Sequence, residues 1–130
     1  MDNQLAINDG LHIIGIERTN DIKQMADFYT AADVLWNPTY ADTFPTTNLE
    51  ALACGTPCVV YETGGCPESV DENTGFVVPQ GDIVASLDAF KEIMKRTSLN
   101  YRCECRNRAE KYFNKEVQFK EYVKLYNTLL

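Results

Sequence analysis

Four short apolar runs constrain this chain more than any other feature: LHIIGI at 11–16, DVLWN at 33–37, PCVVYE at 57–62 and GFVVP at 75–79, separated by helical periodicity or turn residues. Runs of that length, rich in β-branched residues, read as buried strands. Asn20 is placed to cap a helix whose apolar positions Ile22, Met25, Ala26, Phe28 and Tyr29 extend to Ala32. Pro38 stops the second strand, a polar loop covers Thr39 to Pro45, and a helix from Thr47 to Cys54 is closed by Gly55. A turn at Gly64 and Gly65 leads through CPES to the last strand. Beyond Asp82 the pattern is wholly helical. Ile83, Leu87, Phe90 and Met94 share one face, and two further helices are expected over 99–113 and 115–129, the last with Val117, Tyr122 or Val123, Tyr126 and Leu130 as its stripe. Strands alternating with helices predict an α/β fold, a parallel sheet with flanking helices and a helical C-terminus. A length of 130 residues, 45% of them hydrophobic, suits a single core.

Charge narrows the function classes. The net charge is −7, which repels phosphate backbones and argues against nucleic-acid binding. Residues 1–90 carry 14 Asp or Glu against only Arg18 and Lys23, while residues 91–130 hold 10 Lys or Arg against 5 Glu. Solvated helix faces with pairs such as Arg106 and Glu110, or Glu116 and Lys120, account for the basic excess. The sharper reading is a patch for another domain or an anionic membrane surface. No apolar run is long enough to span a bilayer, and the opening MDNQLAINDG lacks the marks of a secretory signal, so a cytoplasmic location is expected, with peripheral attachment at the inner membrane surface as its variant.

Cysteine and histidine contribute little chemistry. Cys54, Cys58, Cys66, Cys103 and Cys105 are odd in number and scattered, which predicts reduced thiols, and their spacing provides no zinc ligand set. The single histidine, His12, lies in an apolar strand with no nucleophile context, so a hydrolase triad is not expected.

The segment NPTYADTFPTTNLEALACGTPCVVYETGGCPESV holds most of the chemical signal. It combines Asp42, a helix start at Thr46 and Thr47, Glu50, a strand and the paired glycines. Ligands of open α/β sheets lie outside the carboxyl ends of the strands, and a helix start offers free N–H groups to a phosphate. Glycines allow a ligand to approach the backbone closely. Plainer readings exist for each residue. Thr47-Asn48-Leu49-Glu50 fits a capping box, Asp42 an ordinary turn, Gly64 and Gly65 a strand-to-helix connection with Pro67 at the first helical position, and Cys66 a passive small side chain rather than a reactive thiol.

Taken together, Asp42, seven residues (TFPTTNL), Glu50, ALACGTPCV and GGCPE resemble the signature of the family-four retaining glycosyltransferases, which have the two-domain GT-B fold. With ADVLWNPTY before it, the resemblance covers about 45 residues. It implies a Rossmann-like sheet belonging to the C-terminal, donor-binding half of that fold, here a single partial domain over 1–130. It further implies that Glu50 accepts hydrogen bonds from the ribose hydroxyls of a nucleoside-diphosphate sugar and that Asp42 faces the sugar as the catalytic carboxylate. Amides around Phe44, Thr46 and Thr47 would hold sugar hydroxyls and phosphates, Gly64 and Gly65 would line the site, and Glu17, Arg18 and Thr19 would lie against the base. No metal or other cofactor is implied. Asp42 stands where Glu is commoner and Pro45 where Gly is usual, which shortens one carboxylate and removes one amide donor.

Other family features lack a counterpart. These 130 residues resemble only the last part of the donor domain, nothing upstream of Leu11 in them matches its first strands, and the Arg–Lys pair that neutralises the departing diphosphate is unmatched. In the strand order 3-2-1-4-5-6, the runs at 11–16 and 33–37 would be the third and fourth strands, with two absent strands between them. Three fates are expected for the first run: irregular packing, direct pairing with 33–37, or completion of the sheet by another chain, including a homodimer through the open edge. The function expected is transfer of a hexose from the nucleotide sugar to a saccharide or lipid acceptor with retention, with the isolated chain inactive. The alternative is a non-catalytic fragment or nucleotide-binding interaction module.

Overall fold

The computed structural model describes residues 4–7, 11–96 and 98–130. Strands β3 (Leu35–Asn37), β4 (Cys58–Tyr61) and β5 (Gly75–Val78) form a parallel sheet in the order β3-β4-β5. Leu35 is in register with Cys58, and Cys58 with Gly75. β4 is central and buried along its whole length, as expected of a parallel strand covered on both faces. Helices α1 (Ile22–Ala31), α2 (Thr46–Ala53), α3 (Cys66–Ser69), α4 (Ile83–Lys95), α5 (Ser98–Tyr112) and α6 (Lys115–Leu129) complete the described structure. The core joins Ala51 and Leu52 of α2, the four residues of β4, Cys66, Val70 and Val78, Ala89 and Ile93 of α4, and Tyr101, Cys105 and Ala109 of α5.

The N-terminal region departs from expectation. β1 (Gln4–Ile7) pairs antiparallel with β2 (Leu11–Ile14) as a separate two-stranded sheet, with Leu5 opposite Ile13. The run at 11–16 therefore does not join the parallel sheet: it neither packs irregularly nor pairs with 33–37. A partner three residues away closes a shorter loop than β3, some twenty residues downstream. Nor is the run a buried strand: Ile13, Ile14 and Ile16 are 45%, 67% and 58% exposed. The His12 side chain lies outside the described part of β2.

The helices follow the predicted order with local corrections. Asp21, not Asn20, caps α1, its carboxylate accepting from the amides of Lys23 and Gln24. Gly55 ends α2 at φ +81°, the left-handed closure anticipated there. On α4 the buried residues are Ser86, Ala89 and Ile93, one position from the predicted stripe, and Ile83, Leu87 and Met94 face outward. The reason is steric, because the small Ser86 and Ala89 let the helix axis approach the sheet. No residue of α6 is buried, so its predicted stripe is exposed.

The arginines of α5 do more than form solvated pairs. Arg102 Nη2 donates to Thr30 O at the end of α1, Arg106 Nη1 to Ala53 O at the end of α2, and Arg108 Nε and Nη2 to Ser69 O and Glu68 O at the end of α3. Each cation meets the carbonyl end of a helix, where the macrodipole is negative. Arg108 also pairs with Asp71 at 2.7 Å, and Arg106 with Glu110 at 2.6 Å.

Candidate functional site

Three loops leave the carboxyl ends of β3, β4 and β5 and are bonded to one another. Tyr40 O, after β3, accepts from Thr63 Oγ1 after β4 and from Gln80 Nε2 after β5, both at 3.0 Å, while the Tyr40 ring meets Tyr61 edge-on at 5.7 Å. This is the crevice in which an open α/β sheet binds ligands.

Asp42 lies exposed in the first of these loops, and its Oδ1 accepts from the Phe44 amide at 3.0 Å. That N–H is thus engaged inside the loop. The Phe44 ring leans on Phe113 at 5.9 Å. Gly65 N donates to Thr43 O at 2.9 Å, which locks the loop to the following turn. A Cβ on Gly64 would lie 1.8 Å from Asp42 O, and one on Gly65 2.2 Å from Thr43 O. The glycines are therefore required by the close approach of two backbone segments of this chain, a tighter constraint than access for a ligand.

Pro45 is the N-cap of α2, and no side chain caps the helix. Its first N–H groups, on Thr46 and Thr47, lack intrahelical partners. Because α2 begins at Thr46, Thr47 is already inside the helix, and Glu50 does not return to an N-cap, so no capping box forms. The Glu50 carboxylate instead accepts from the Tyr29 hydroxyl of α1 at 3.0 Å. Burial, reinforced by this bond to Glu50, pushes the Tyr29 phenol up to about 12. Glu50 and Tyr29 line a cavity of about 460 Å³ between α1 and α2, with Thr19, Asn20, Ile22, Met25, Ala26, Ala53 and Cys54. Thr19 is thereby brought beside Glu50, whereas Glu17 and Arg18 are exposed and outside that lining. A second cavity of about 250 Å³, by Asp33, Gly55, Pro57 and Arg96, lies at the amino ends of β3 and β4.

Sequence reasoning missed the polar support beneath the site. Asn48 is fully buried, accepting from Asn37 Nδ2 of β3 and donating to Ser69 Oγ of α3, both at 2.9 Å. Ser69 Oγ in turn donates to Cys66 O at 2.6 Å. This chain ties the end of β3, the start of α2 and α3 into one rigid unit. Asn48 shares the inward face of α2 with Ala51 and Leu52, so a polar residue at i, i+3, i+4 spacing with core residues was the available signal. Cys66 is fully buried, and burial, helped by the Asp42 charge, raises its thiol pKa, in keeping with a passive side chain. Among the described residues no three His, Cys, Asp or Glu side chains converge as metal ligands, and no helix is long and apolar enough to cross a membrane.

The pattern of the family described as Glycosyl transferases group 1 matches residues 3–112. The chain belongs to this family. The group 1 glycosyltransferase chain is also 32% identical to sucrose-phosphate synthase from Thermosynechococcus elongatus, superposing with a TM-score of 0.73 over 82% of this chain and 28% of that one. The three-stranded parallel sheet with its flanking helices is thus a portion of a GT-B glycosyltransferase fold. Among curated relatives, the capsular polysaccharide biosynthesis glycosyltransferase CapM of Staphylococcus aureus is 30% identical over 115 residues, 84% of this chain and 30% of the relative. A D-inositol 3-phosphate glycosyltransferase of Mycobacteroides abscessus is 36% identical over 80 residues, 61% of this chain and 18% of the relative. The chain spans less than a third of the length of these relatives.

Proposed function

We propose that this group 1 glycosyltransferase chain forms the donor-binding side of an enzyme that transfers a hexose from a nucleoside-diphosphate sugar to a saccharide or lipid acceptor with retention. The single observation that carries this reading is the position of Glu50. It is a carboxylate held by a neutral donor rather than a cation, lining a cavity along the second half of α2, one turn on from the uncapped start of that helix at Thr46. A carboxylate in that setting accepts well from the adjacent hydroxyls of a ribose. The amides of Thr46 and Thr47, at the positive end of α2, suit the diphosphate. Asp42, with one oxygen engaged by Phe44 N–H, presents the other toward the sugar. The turn containing Glu17, Arg18 and Thr19 borders the base, and Gly64 and Gly65 hold the Asp42 loop in place.

In the reaction proposed, the bond from the sugar carbon to the phosphate oxygen breaks as the acceptor oxygen adds on the same face. The leaving phosphate oxygen takes the acceptor proton. Asp42 and the α2 amides steady the sugar, and no metal is assigned to the step. The developing phosphate charge calls for cations. Arg102, Arg106 and Arg108 are bonded to helix-end carbonyls, and Arg18 and Lys23 are exposed and do not line the Glu50 cavity, so we assign the neutralising groups and the acceptor site to a part of the enzyme outside these 130 residues. The outer edge of β3, which has no neighbouring strand among the described residues, is where a further strand, from the same protein or from a second copy, completes the sheet.

Titration calorimetry with UDP, GDP and ADP sugars tests the reading. One of them is expected to bind at up to millimolar concentration, with Glu50→Ala abolishing most of the heat, and no turnover is expected from the chain alone. Absence of heat from all three overturns the nucleotide reading, and turnover by the isolated chain overturns the assignment of the cations elsewhere.

A further inference from the structure

The Tyr29–Glu50 bond joins α1 to α2 across 21 residues of sequence, and it is the one hydrogen bond to the Glu50 side chain among the described residues. No cation lies within ion-pairing distance of Glu50 among those residues. Arg106 of α5, which lines another cavity together with Glu50, is occupied by Glu110 and Ala53 O. The carboxylate orientation therefore depends on a single neutral donor.

That donor is itself rigidly mounted. Thr56 Oγ1 donates to Tyr29 O, and Arg102 Nη2 donates to Thr30 O at 2.9 Å, so the last turn of α1 is tied both to the start of β4 and to α5. With its backbone fixed at two points, the phenol has little freedom except rotation about its own side-chain bonds. Its raised pKa, about 12 through burial and the Glu50 bond, keeps it protonated and donating across the physiological range. Tyr29 uses Glu50 Oε2, leaving Oε1 without a hydrogen-bond partner among the described residues, and the Glu50 side chain lines the cavity with Thr19, Ile22 and Met25.

We infer that Tyr29 is a positioning residue for nucleotide recognition: its hydroxyl fixes the Glu50 carboxylate so that the open oxygen meets the ribose hydroxyls, and it thereby sets discrimination between ribose and 2′-deoxyribose. This rests on the donor-binding role proposed for Glu50 and adds a residue and a selectivity to it. A preorganised acceptor loses less conformational freedom on binding than one that must first be oriented. Removing the phenol oxygen frees the carboxylate while leaving the ring, and hence most of the packing between α1 and α2, in place.

The test compares Tyr29→Phe with the unaltered chain by calorimetry, using UDP, GDP and ADP and the 2′-deoxy counterpart of whichever binds, together with thermal melts. Tyr29→Phe is expected to weaken the ribonucleotide about tenfold, the equivalent of ~1.4 kcal/mol, and to weaken the 2′-deoxy analogue, which keeps only the 3′-hydroxyl, by clearly less. In a Glu50→Ala background the same change is expected to have no further effect. If Tyr29 merely clamps two helices, the melting midpoint falls while both nucleotides are weakened equally or not at all, and that result overturns the inference. Ribonucleotide binding that Glu50→Ala weakens but Tyr29→Phe leaves intact also overturns it, with the role of Glu50 standing. Binding that Glu50→Ala does not alter, or no binding of any nucleotide, overturns the donor-binding reading itself.

Discussion

Replacing Gly65 with alanine isolates what holds the Asp42 loop in place. Gly65 has φ −89° and ψ 6°, a backbone region open to alanine, so the substitution carries no left-handed strain. The new methyl would stand 2.2 Å from Thr43 O and 2.9 Å from Phe44 Cδ2, where ordinary contact begins near 3.4 Å. Thr43 O must then retreat by more than 1 Å, which breaks its 2.9 Å bond from Gly65 N. Overpacking of this kind costs about 1–3 kcal/mol and the lost hydrogen bond about 1 kcal/mol more. For a chain of this size the sum corresponds to a melting midpoint lowered by roughly 6–15 °C. Far-ultraviolet circular dichroism during heating reads that shift, and calorimetry reads the accompanying loss of nucleotide-sugar binding as Asp42 and Phe44 move. Gly64→Ala is expected to be worse, because at φ +49° it adds about 1–2 kcal/mol of left-handed strain to a 1.8 Å contact. A Gly65→Ala midpoint within about 2 °C of the unaltered chain would refute the backbone-approach argument, since a contact that close cannot be relieved for so little.

Arg108→Ala removes three carbonyl and carboxylate partners at once and leaves Ser69 O without its donor, which lowers stability by about 2–4 kcal/mol in urea melts; Arg108→Lys restores only part, because lysine lacks the guanidinium fork. Thiol labelling of the native chain should modify exposed Cys103 first and Cys58, Cys66 and Cys105 only on unfolding, as read by mass spectrometry; early labelling of Cys58 would contradict its place in β4. Alkaline pH should destabilise the fold. Burial holds Tyr29 and Cys105 up to about 12, so the stability from their neutral forms is full below their ordinary values of 10.0 and 9.0 and is lost as the pH rises toward 12. Urea midpoints measured from pH 8 to 11 are expected to decline, with a flatter decline in Cys105→Ala; a level profile would oppose this.

Much of the sheet was legible because its signals are local. CVVY is a continuous apolar run between Pro57 and Glu62, and Gly55 marks the end of α2 by a conformation few other residues adopt. The β1–β2 hairpin was not legible, since QLAI is too short to announce a strand, and the expected burial of Ile13 and Ile14 needed neighbours that the described structure does not place over them. The α4 face was misjudged by one position, because apolar periodicity favours large residues while close helix-to-sheet packing selects Ser86 and Ala89.

At the site, the motif located Asp42, Glu50 and the glycine turn, but not the contacts that give them their geometry. Whether Glu50 caps its own helix depends on where α2 begins, and Pro45 at the N-cap decides that. The Tyr29 hydroxyl reaches Glu50 only through the docking of α1 on α2, a tertiary fact with no sequence spacing of its own. The basic excess of α5 reads on paper as solvated charge or an external patch. Its role against the ends of α1, α2 and α3 emerges only when those carbonyls are placed beside it.

The central claim is that the Glu50 cavity and the start of α2 receive a nucleoside diphosphate. Two-dimensional amide NMR of the labelled chain, titrated with UDP, GDP and ADP, tests it most directly because it reports location. The account predicts saturable shifts at Thr19, Tyr29, Thr46, Thr47 and Glu50, with Ile93, Arg96 and Tyr101 around the cavity at the amino ends of β3 and β4 unmoved. Shifts confined to that other cavity, or none at any position, would contradict it.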